Sequence, residues 1–352
     1  MAGILRRRLR RLLHRQEMTL ESSAERVWQI APGSMSISLP AYCLPNQLER
    51  VTNTAYSYYW ADGGDREDLQ RQMAGGIERF QAPTRGFLLK DAYLFDGAIH
   101  KANFGTRLYP RAGRLPQFHI EHEIDRGAVH STFDGNMFFG LWLTDDCTIY
   151  PLAASEGLPV TTDQPASAHT LAYEDWLGMK PVRLHSAFLR EVVLFDDHLQ
   201  NQDKRARFRS ISDRLLSRVQ VAPHPGVFII RGGSGKRRIL HNEREIAEYL
   251  RERRGFRIVD INVADVPTIL AACAGAQVVA GVEGSHLIHG VMVLQPGGAV
   301  LALQPPDRFC AVIKRTTDRD GQHYGFVVGH AEEDGFRIDP VEVERTLDFF
   351  PT

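Results

Sequence analysis

Between Gly226 and Gln304, short apolar runs alternate with amphipathic stretches, and this rhythm restricts the architecture more than any other feature of the chain. The runs are GVFII, FRIVDI, AQVVAG and AVLAL. Each has the length of a strand buried on both faces, bounded by glycine or polar residues. The stretches between them read as helices. NEREIAEYLRERR has Asn242 at its N-cap and stops at Gly255; VPTILAACA carries Pro267 in its first turn. Strand and helix alternating over short links make a parallel sheet with helices on its faces. Ligands of such sheets bind outside the carboxyl ends of the strands, often at helix N-termini.

The chain before residue 200 is β-rich. Residues 28–45 read as loop and edge strands, and Gly86 to Ile99 as a hairpin turning at Asp96-Gly97. Phe138, Leu141, Trp142, Ile149 and Leu152 mark a buried helix; further strands fall at 158–162 and near 192–195. AYEDWLGMK reads as a helix ended by Gly178, and residues 203–219 form a basic amphipathic helix. The expected division is a basic segment at 1–20, an N-terminal domain over 21–200, and a C-terminal domain over 201–352 with a last helix at 341–349.

A length of 352 residues suits two domains. The net charge of -1 provides no general field for nucleic acid. Cys43, Cys147, Cys273 and Cys310 lack C-x-x-C spacing, which favours a reducing compartment and disfavours structural zinc. No apolar run reaches bilayer-spanning length. At the start, Ile4, Leu5, Leu9, Leu12 and Leu13 alternate with arginines 6, 7, 8, 10 and 11. That pattern is a basic amphipathic helix, suited either to an anionic membrane surface or to plain solvation.

Two stretches carry most of the polar chemistry. Arg231-Gly-Gly-Ser-Gly-Lys-Arg-Arg lies between a strand and a helix. Its glycines could bring backbone N–H groups to phosphate oxygens while Arg231, Arg237 and Arg238 add charge. It is neither a Walker A motif nor a G-x-G-x-x-G fingerprint. After AQVVAG come Glu283, Gly284, Ser285, His286 and His289. The imidazoles share a helix face, but the order required by H-E-x-x-H is absent and no third ligand is evident, so no metal is assigned. His119, Glu121 and His130 could share a strand face, and exposed surface groups are the simpler account. Asp145 and Asp146 lie in an apolar setting, either facing solvent or held at a cleft as acid–base groups.

The pieces FIIRGGSGKRRILHNERE, GFRIVDI, ILAACAGAQVVAGVEGSHLIHG and VLQPGGAVLALQP resemble glycosyltransferase family 61, and Phe139-Gly-Leu-Trp-Leu-Thr-Asp-Asp is similar to that family's N-terminal motif. The resemblance implies an α/β GT-B architecture, two Rossmann-like domains facing across a cleft behind a β-rich N-terminal region. It implies an inverting transfer of a sugar from a nucleotide-sugar donor to a glycan or lipid-linked acceptor hydroxyl, with no obligatory cofactor or metal. Arg231 and Arg238 match arginines expected at the diphosphate. Arg237, Gly284, Ser285, His286 and His289 are the other expected donor contacts, and Asp145, Asp146 or Glu283 the expected base. The implied setting is surface or capsular polysaccharide synthesis by a cytoplasmic enzyme, with or without peripheral attachment to the inner membrane. The family's H-G-A-G-L-T-N reads E-G-S-H-L-I-H here, and Leu141 stands where its His-Trp-Leu has histidine. Those departures keep two alternatives open: a catalytically impaired protein that binds nucleotide sugar or glycan, and a phosphate-binding α/β protein of another class.

Overall fold

The computed structural model describes residues 18–54, 66–110, 119–233 and 238–351. The leucine- and arginine-rich start of the chain up to residue 17 and Arg237 lie outside the described residues. The chain forms two compact units of mixed α/β structure. They are not contiguous in sequence. Unit 1 takes the described residues up to Pro32, Pro83–Ala166 and Met179–His198. Unit 2 takes Gly33–Ala82, Ser167–Gly178 and Leu199–Thr352. The expected single N-terminal block over 21–200 is thus interrupted twice, at 33–82 and at 167–178, where the chain packs with the C-terminal residues.

Strands are numbered in chain order. Unit 1 holds a sheet of β1 (Arg26–Ala31), β5 (Thr84–Phe95), β6 (Ala98–Lys101), β7 (Phe104–Arg107), β8 (His122–Val129), β9 (Leu158–Thr162), β10 (Val182–Leu184) and β11 (Ala187–Asp196). Its order is β10-β9-β8-β11-β5-β6-β7, with β1 also on β5. The first four strands are parallel; β5, β6 and β7 continue antiparallel. The β5–β6 turn falls at Asp96-Gly97 as expected, both residues having positive φ, the geometry of a two-residue hairpin loop. Phe87, Leu89, Val160, Leu189 and Val192 fill the core. After β8 come short helices Phe133–Met137 and Phe139–Leu141, a π-helical turn Trp142–Asp146, and helix Cys147–Glu156. The expected buried helix is therefore present, but wound one residue wide at its centre. Single π turns inside helices frequently mark functional sites.

Unit 2 is built on the parallel sheet that the rhythm predicts. It comprises β12 (His224–Ile230), β13 (Arg257–Asp260), β14 (Ala276–Val282), β15 (Ala299–Gln304) and β16 (His323–Val328), with the short β3 (Ala41–Tyr42) added in parallel beside β16. The order is β13-β12-β14-β15-β16-β3. Counted along the chain, the five long strands lie 2-1-3-4-5, and their connections diverge between β12 and β14. Every residue of β15 is buried, as its unbroken apolar run requires. Phe228, Ile246, Leu250, Leu301 and Val327 pack between sheet and helices. Two small antiparallel pairs complete the unit, β2 (Ser34–Ile37) with β4 (Glu78–Gln81) and β17 (His330–Glu332) with β18 (Gly335–Arg337).

Asn242 precedes helix Glu243–Arg254 as expected, yet its side chain does not cap it. Its amide donates to the Ile338 carbonyl at 2.8 Å and its oxygen accepts from the Ile338 N–H at 3.3 Å. The cross-chain strut satisfies both ends of a buried amide at once. Helices Val266–Cys273 and Pro340–Leu347 are capped conventionally, by Asp265 and Asp339.

Candidate functional site

In unit 2 the carboxyl ends of β12, β14 and β15 deliver four charged side chains to one another. Arg231 follows β12 and Glu283 follows β14; the parallel register, with Phe228 opposite Ala280, sets these two exits side by side. Arg238, at the far end of the β12 loop, forms a close ion pair with the Glu283 carboxylate and donates to the Glu283 carbonyl at 2.6 Å. Arg308, from the loop after β15, reaches the same carboxylate at 3.5 Å. Arg231 donates to the Arg238 carbonyl at 3.3 Å. Arg231 and Glu283 are almost wholly buried.

Second-tier contacts hold these groups in place. The Glu243 carboxylate, in the first turn of its helix, accepts the N–H groups of Arg231 and Gly232, both at 2.8 Å. The loop's expected phosphate-cradling N–H donors are therefore already occupied at these two positions, by the protein's own anion. Burial, the larger effect, raises the Glu243 carboxyl despite those two bonds. The Arg308 loop is clamped by buried Gln304, which donates to the Cys310 carbonyl at 2.7 Å and accepts the Cys310 N–H at 3.1 Å. Gly281 permits the close approach of β14 to β12, because a Cβ there would stand 2.6 Å from the Ile229 carbonyl.

Electrostatically the cluster is cationic. Burial first, and then the repulsion of Arg238, lowers Arg231 to about 10. Arg238 is lowered by burial and opposed by Glu283, with Arg308 adding repulsion. Three guanidiniums meet two carboxylates, Glu283 and Glu243, in a partly dehydrated place, which leaves positive charge that an anion would neutralise. The Arg238 Nε is buried without a hydrogen-bond partner.

His286 lies between Gly281 and Gly284, close to the Arg238 guanidinium; it is buried, and its Nε2 has no hydrogen-bond partner. Burial first, then Arg231, His289 and Arg238, push it well below the usual imidazole range. His289 points its Nδ1 at the Tyr173 hydroxyl, 2.8 Å away, with the two rings stacked and His169 edge-on at 5.1 Å. It is thus held inside unit 2 by residues of the inserted 167–178 segment. Ser285 is half-buried at the start of this turn, and Gly284 is buried beside it.

In unit 1, Asp145 and Asp146 both sit in the π turn but differ. Asp146 is fully buried and accepts the Thr132 N–H at 3.1 Å and the Thr132 hydroxyl at 2.8 Å. A Cβ on Gly135 would collide with its carboxylate. Asp145 is half-buried, its Oδ2 accepting from the neighbouring Thr144 hydroxyl at 3.4 Å. His119 and Glu121 are exposed, whereas His130 is buried. Among the described residues, no group of three or more His, Cys, Asp or Glu side chains could hold a metal ion. Nor is any described helix long and apolar enough to cross a membrane.

A cavity of about 930 Å³ opens at the opposite, amino-terminal ends of the unit 2 strands, beside Pro223, Ala276 and Ala299. Its charged groups are neutralised by each other or by Glu344, with Arg254 on Glu344 at 3.0 Å and on Asp348 at 2.6 Å. The arginine cluster is the better candidate site on both topology and charge.

The buried imidazoles predict an acid-sensitive fold. His130 is lowered to about 4 and His289 to about 3, in each case chiefly by burial. Both values lie below the 6.5 of a free imidazole, so the unfolded chain binds protons that the folded chain refuses. This stabilisation is complete above pH 6.5 and is lost as the pH falls towards 4. At pH 5 each histidine should cost about 2 kcal/mol of unfolding free energy. Urea unfolding at pH 7 and pH 5 measures it; a His130→Phe/His289→Phe chain should lose the part of the difference owed to those two residues while His286 keeps its own share, and an unchanged difference would contradict the assignment.

Arg308 and Glu243 are the site residues that motif reading misses. Arg308 stands alone in a proline-containing loop, and only its place after a sheet strand marks it. Glu243 reads simply as an acidic residue in a first helical turn. The family model described as Glycosyltransferase 61 matches residues 103–301, more than half of the chain, and spans Asp145, Arg231, Arg238 and Glu283. No curated protein matches the chain significantly.

Proposed function

The chain belongs to the glycosyltransferase 61 family and is a glycosyltransferase; from that premise we propose that it transfers a sugar, with inversion, from a nucleoside-diphosphate sugar to a hydroxyl of a glycan or lipid-linked glycan. The observation that carries this reading is the cluster of Arg231, Arg238 and Arg308 around Glu283 at the point where the unit 2 connections diverge. Departure of a diphosphate concentrates negative charge on its oxygens, and fixed guanidiniums lower the barrier by being in position beforehand. Arg231, Arg238 and Arg308 take that role. Gly284, Ser285 and His286 line the same turn, and His289 braces it through Tyr173. Arg237 belongs to the same basic loop by sequence.

Inverting transfer also needs a base. The acceptor oxygen bonds to the anomeric carbon as the bond from that carbon to the diphosphate breaks, and the hydroxyl proton passes to a carboxylate. Asp145 suits this best of the three candidates, being the least buried of them, on a π turn. The Asp146 carboxylate holds Thr132, and the Glu283 carboxylate holds two arginines. Each of those two is a positioning residue in this account.

The GT-B arrangement, a surface or capsular polysaccharide product, and a cytoplasmic site with peripheral attachment to the inner membrane belong to the same proposal. Support for attachment is the arginine- and leucine-rich start of the chain. Purified protein incubated with UDP-, GDP-, dTDP- and CMP-sugars tests the function. Diphosphate donors of one nucleotide class should release nucleotide, in EDTA as without it. CMP-sugars, with a single phosphate, should not. Release from CMP-sugars alone, or from none, would overturn the reading.

A further inference from the structure

The arginine cluster of unit 2 already holds an anion. The Glu283 Oε2 takes both contacts, the close ion pair from Arg238 Nη1 and the 3.5 Å approach of Arg308 Nη1. One oxygen therefore faces two guanidiniums and satisfies them incompletely: Arg308 Nη1 is buried against it without a hydrogen bond. A diphosphate carries more oxygens than a carboxylate and suits several guanidiniums at once. Such a ligand reaches these nitrogens by taking the place that the carboxylate fills.

The backbone around Glu283 is fixed independently of its side chain. Its N–H donates to the Leu303 carbonyl at 2.9 Å, which keeps the residue against β15 wherever the carboxylate turns. The arginines have tethers of their own. Arg238 donates to the Glu283 carbonyl at 2.6 Å and Arg231 to the Arg238 carbonyl at 3.3 Å, and neither bond uses the carboxylate. The guanidiniums thus stay aimed at the site when the carboxylate rotates away about its own side-chain bonds. An arriving anion meets Arg308 first, because its side chain is 24 % exposed against 11 % for Arg238 and 6 % for Glu283. Arg308 is also the partner that Glu283 holds more loosely.

We propose that Glu283 is an internal counter-anion, an autoinhibitory carboxylate that the donor's diphosphate displaces from Arg238 and Arg308. The assignment rests on the donor-site reading above. In the empty site the carboxylate positions the buried guanidiniums; in the filled site phosphate oxygens take over its contacts. A site that is competent only with the carboxylate out binds more weakly by that fraction. Calorimetric titration of the unaltered protein, Glu283→Gln and Glu283→Ala with inorganic pyrophosphate and with nucleoside diphosphates tests this. Both variants should bind at least tenfold more tightly than the unaltered protein. In Glu283→Ala, sodium acetate should weaken pyrophosphate binding more than sodium chloride of equal ionic strength, because the added carboxylate resumes the lost competition. Without ligand both variants should melt below the unaltered protein, and pyrophosphate should reverse that loss. A variant that folds only in pyrophosphate supports the exchange, and one that pyrophosphate fails to rescue overturns it. Folded variants that gain no affinity for either ligand also overturn it. Tighter pyrophosphate binding by the variants, with no nucleoside diphosphate bound by any of the three proteins, keeps the exchange and overturns the transferase reading instead, so the two failures are distinguishable.

Discussion

Replacing Arg238 with alanine should weaken nucleoside-diphosphate binding at least a hundredfold and slow sugar transfer by roughly 10²–10³, the usual cost of removing a preorganised donor from a site of developing charge. Arg238 is the hub of the cluster: it grips the Glu283 carboxylate and carbonyl, and its backbone carbonyl anchors Arg231. The substitution also leaves Glu283 buried with only the longer contact to Arg308, and breaking a buried pair in this way costs about 3–5 kcal/mol of stability. Loss of binding must therefore be separated from loss of fold. Adding Glu283→Gln to Arg238→Ala removes the stranded charge. The double variant should regain most of the stability in urea unfolding while calorimetry still finds diphosphate binding lost. Recovery of binding along with stability would make Arg238 a structural residue only.

Asp145→Asn should lower turnover by about 10²–10⁴, the range for a positioned general base, with diphosphate affinity unchanged. The amide keeps the shape of the side chain and loses the ability to take a proton. Asp146→Asn should behave differently. Its carboxylate accepts two bonds from Thr132 and is crowded against Gly135, so the substitution should reduce stability, and any fall in turnover should follow the fraction unfolded. Rate measurements at saturating donor, alongside urea midpoints for both variants, distinguish the two aspartates. An Asp145→Asn protein with full turnover would remove it from the mechanism.

Much of unit 2 was legible because periodicity reports burial. The apolar runs of β12, β14 and β15 appear as strands, the helices end at their glycines, and Arg231, Arg238 and Glu283 meet where the sheet rule places ligands. Less visible was what depends on contacts between distant segments. The pairing of β3 with β16 rests on two residues, and nothing local to Ala41-Tyr42 announces a parallel partner near residue 324. The insertion of 167–178 into unit 2 is settled by contacts such as Tyr173 with His289. Asn242 had the residue type of a cap and became a strut, because Ile338 presents both a carbonyl and an N–H to it. The glycine-rich loop looked like a phosphate cradle, and Glu243 takes its first two donors. Arg308 enters through the β15 loop, about seventy residues from the arginines it joins, and no spacing rule reaches that far. The π turn at 142–146 is invisible to a search for a 3.6-residue period, since Trp142 and Ile149 look the same with or without one extra residue in the winding.

The most direct test of the central claim, that the Arg231–Arg238–Arg308 cluster receives the donor's diphosphate, is calorimetric titration of the unaltered protein with matched nucleosides, monophosphates and diphosphates. At least one nucleoside diphosphate should bind, at least tenfold more tightly than its monophosphate, and that advantage should vanish in Arg238→Ala/Glu283→Gln. Equal affinity for monophosphate and diphosphate, or an advantage that persists in the double variant, would contradict the account.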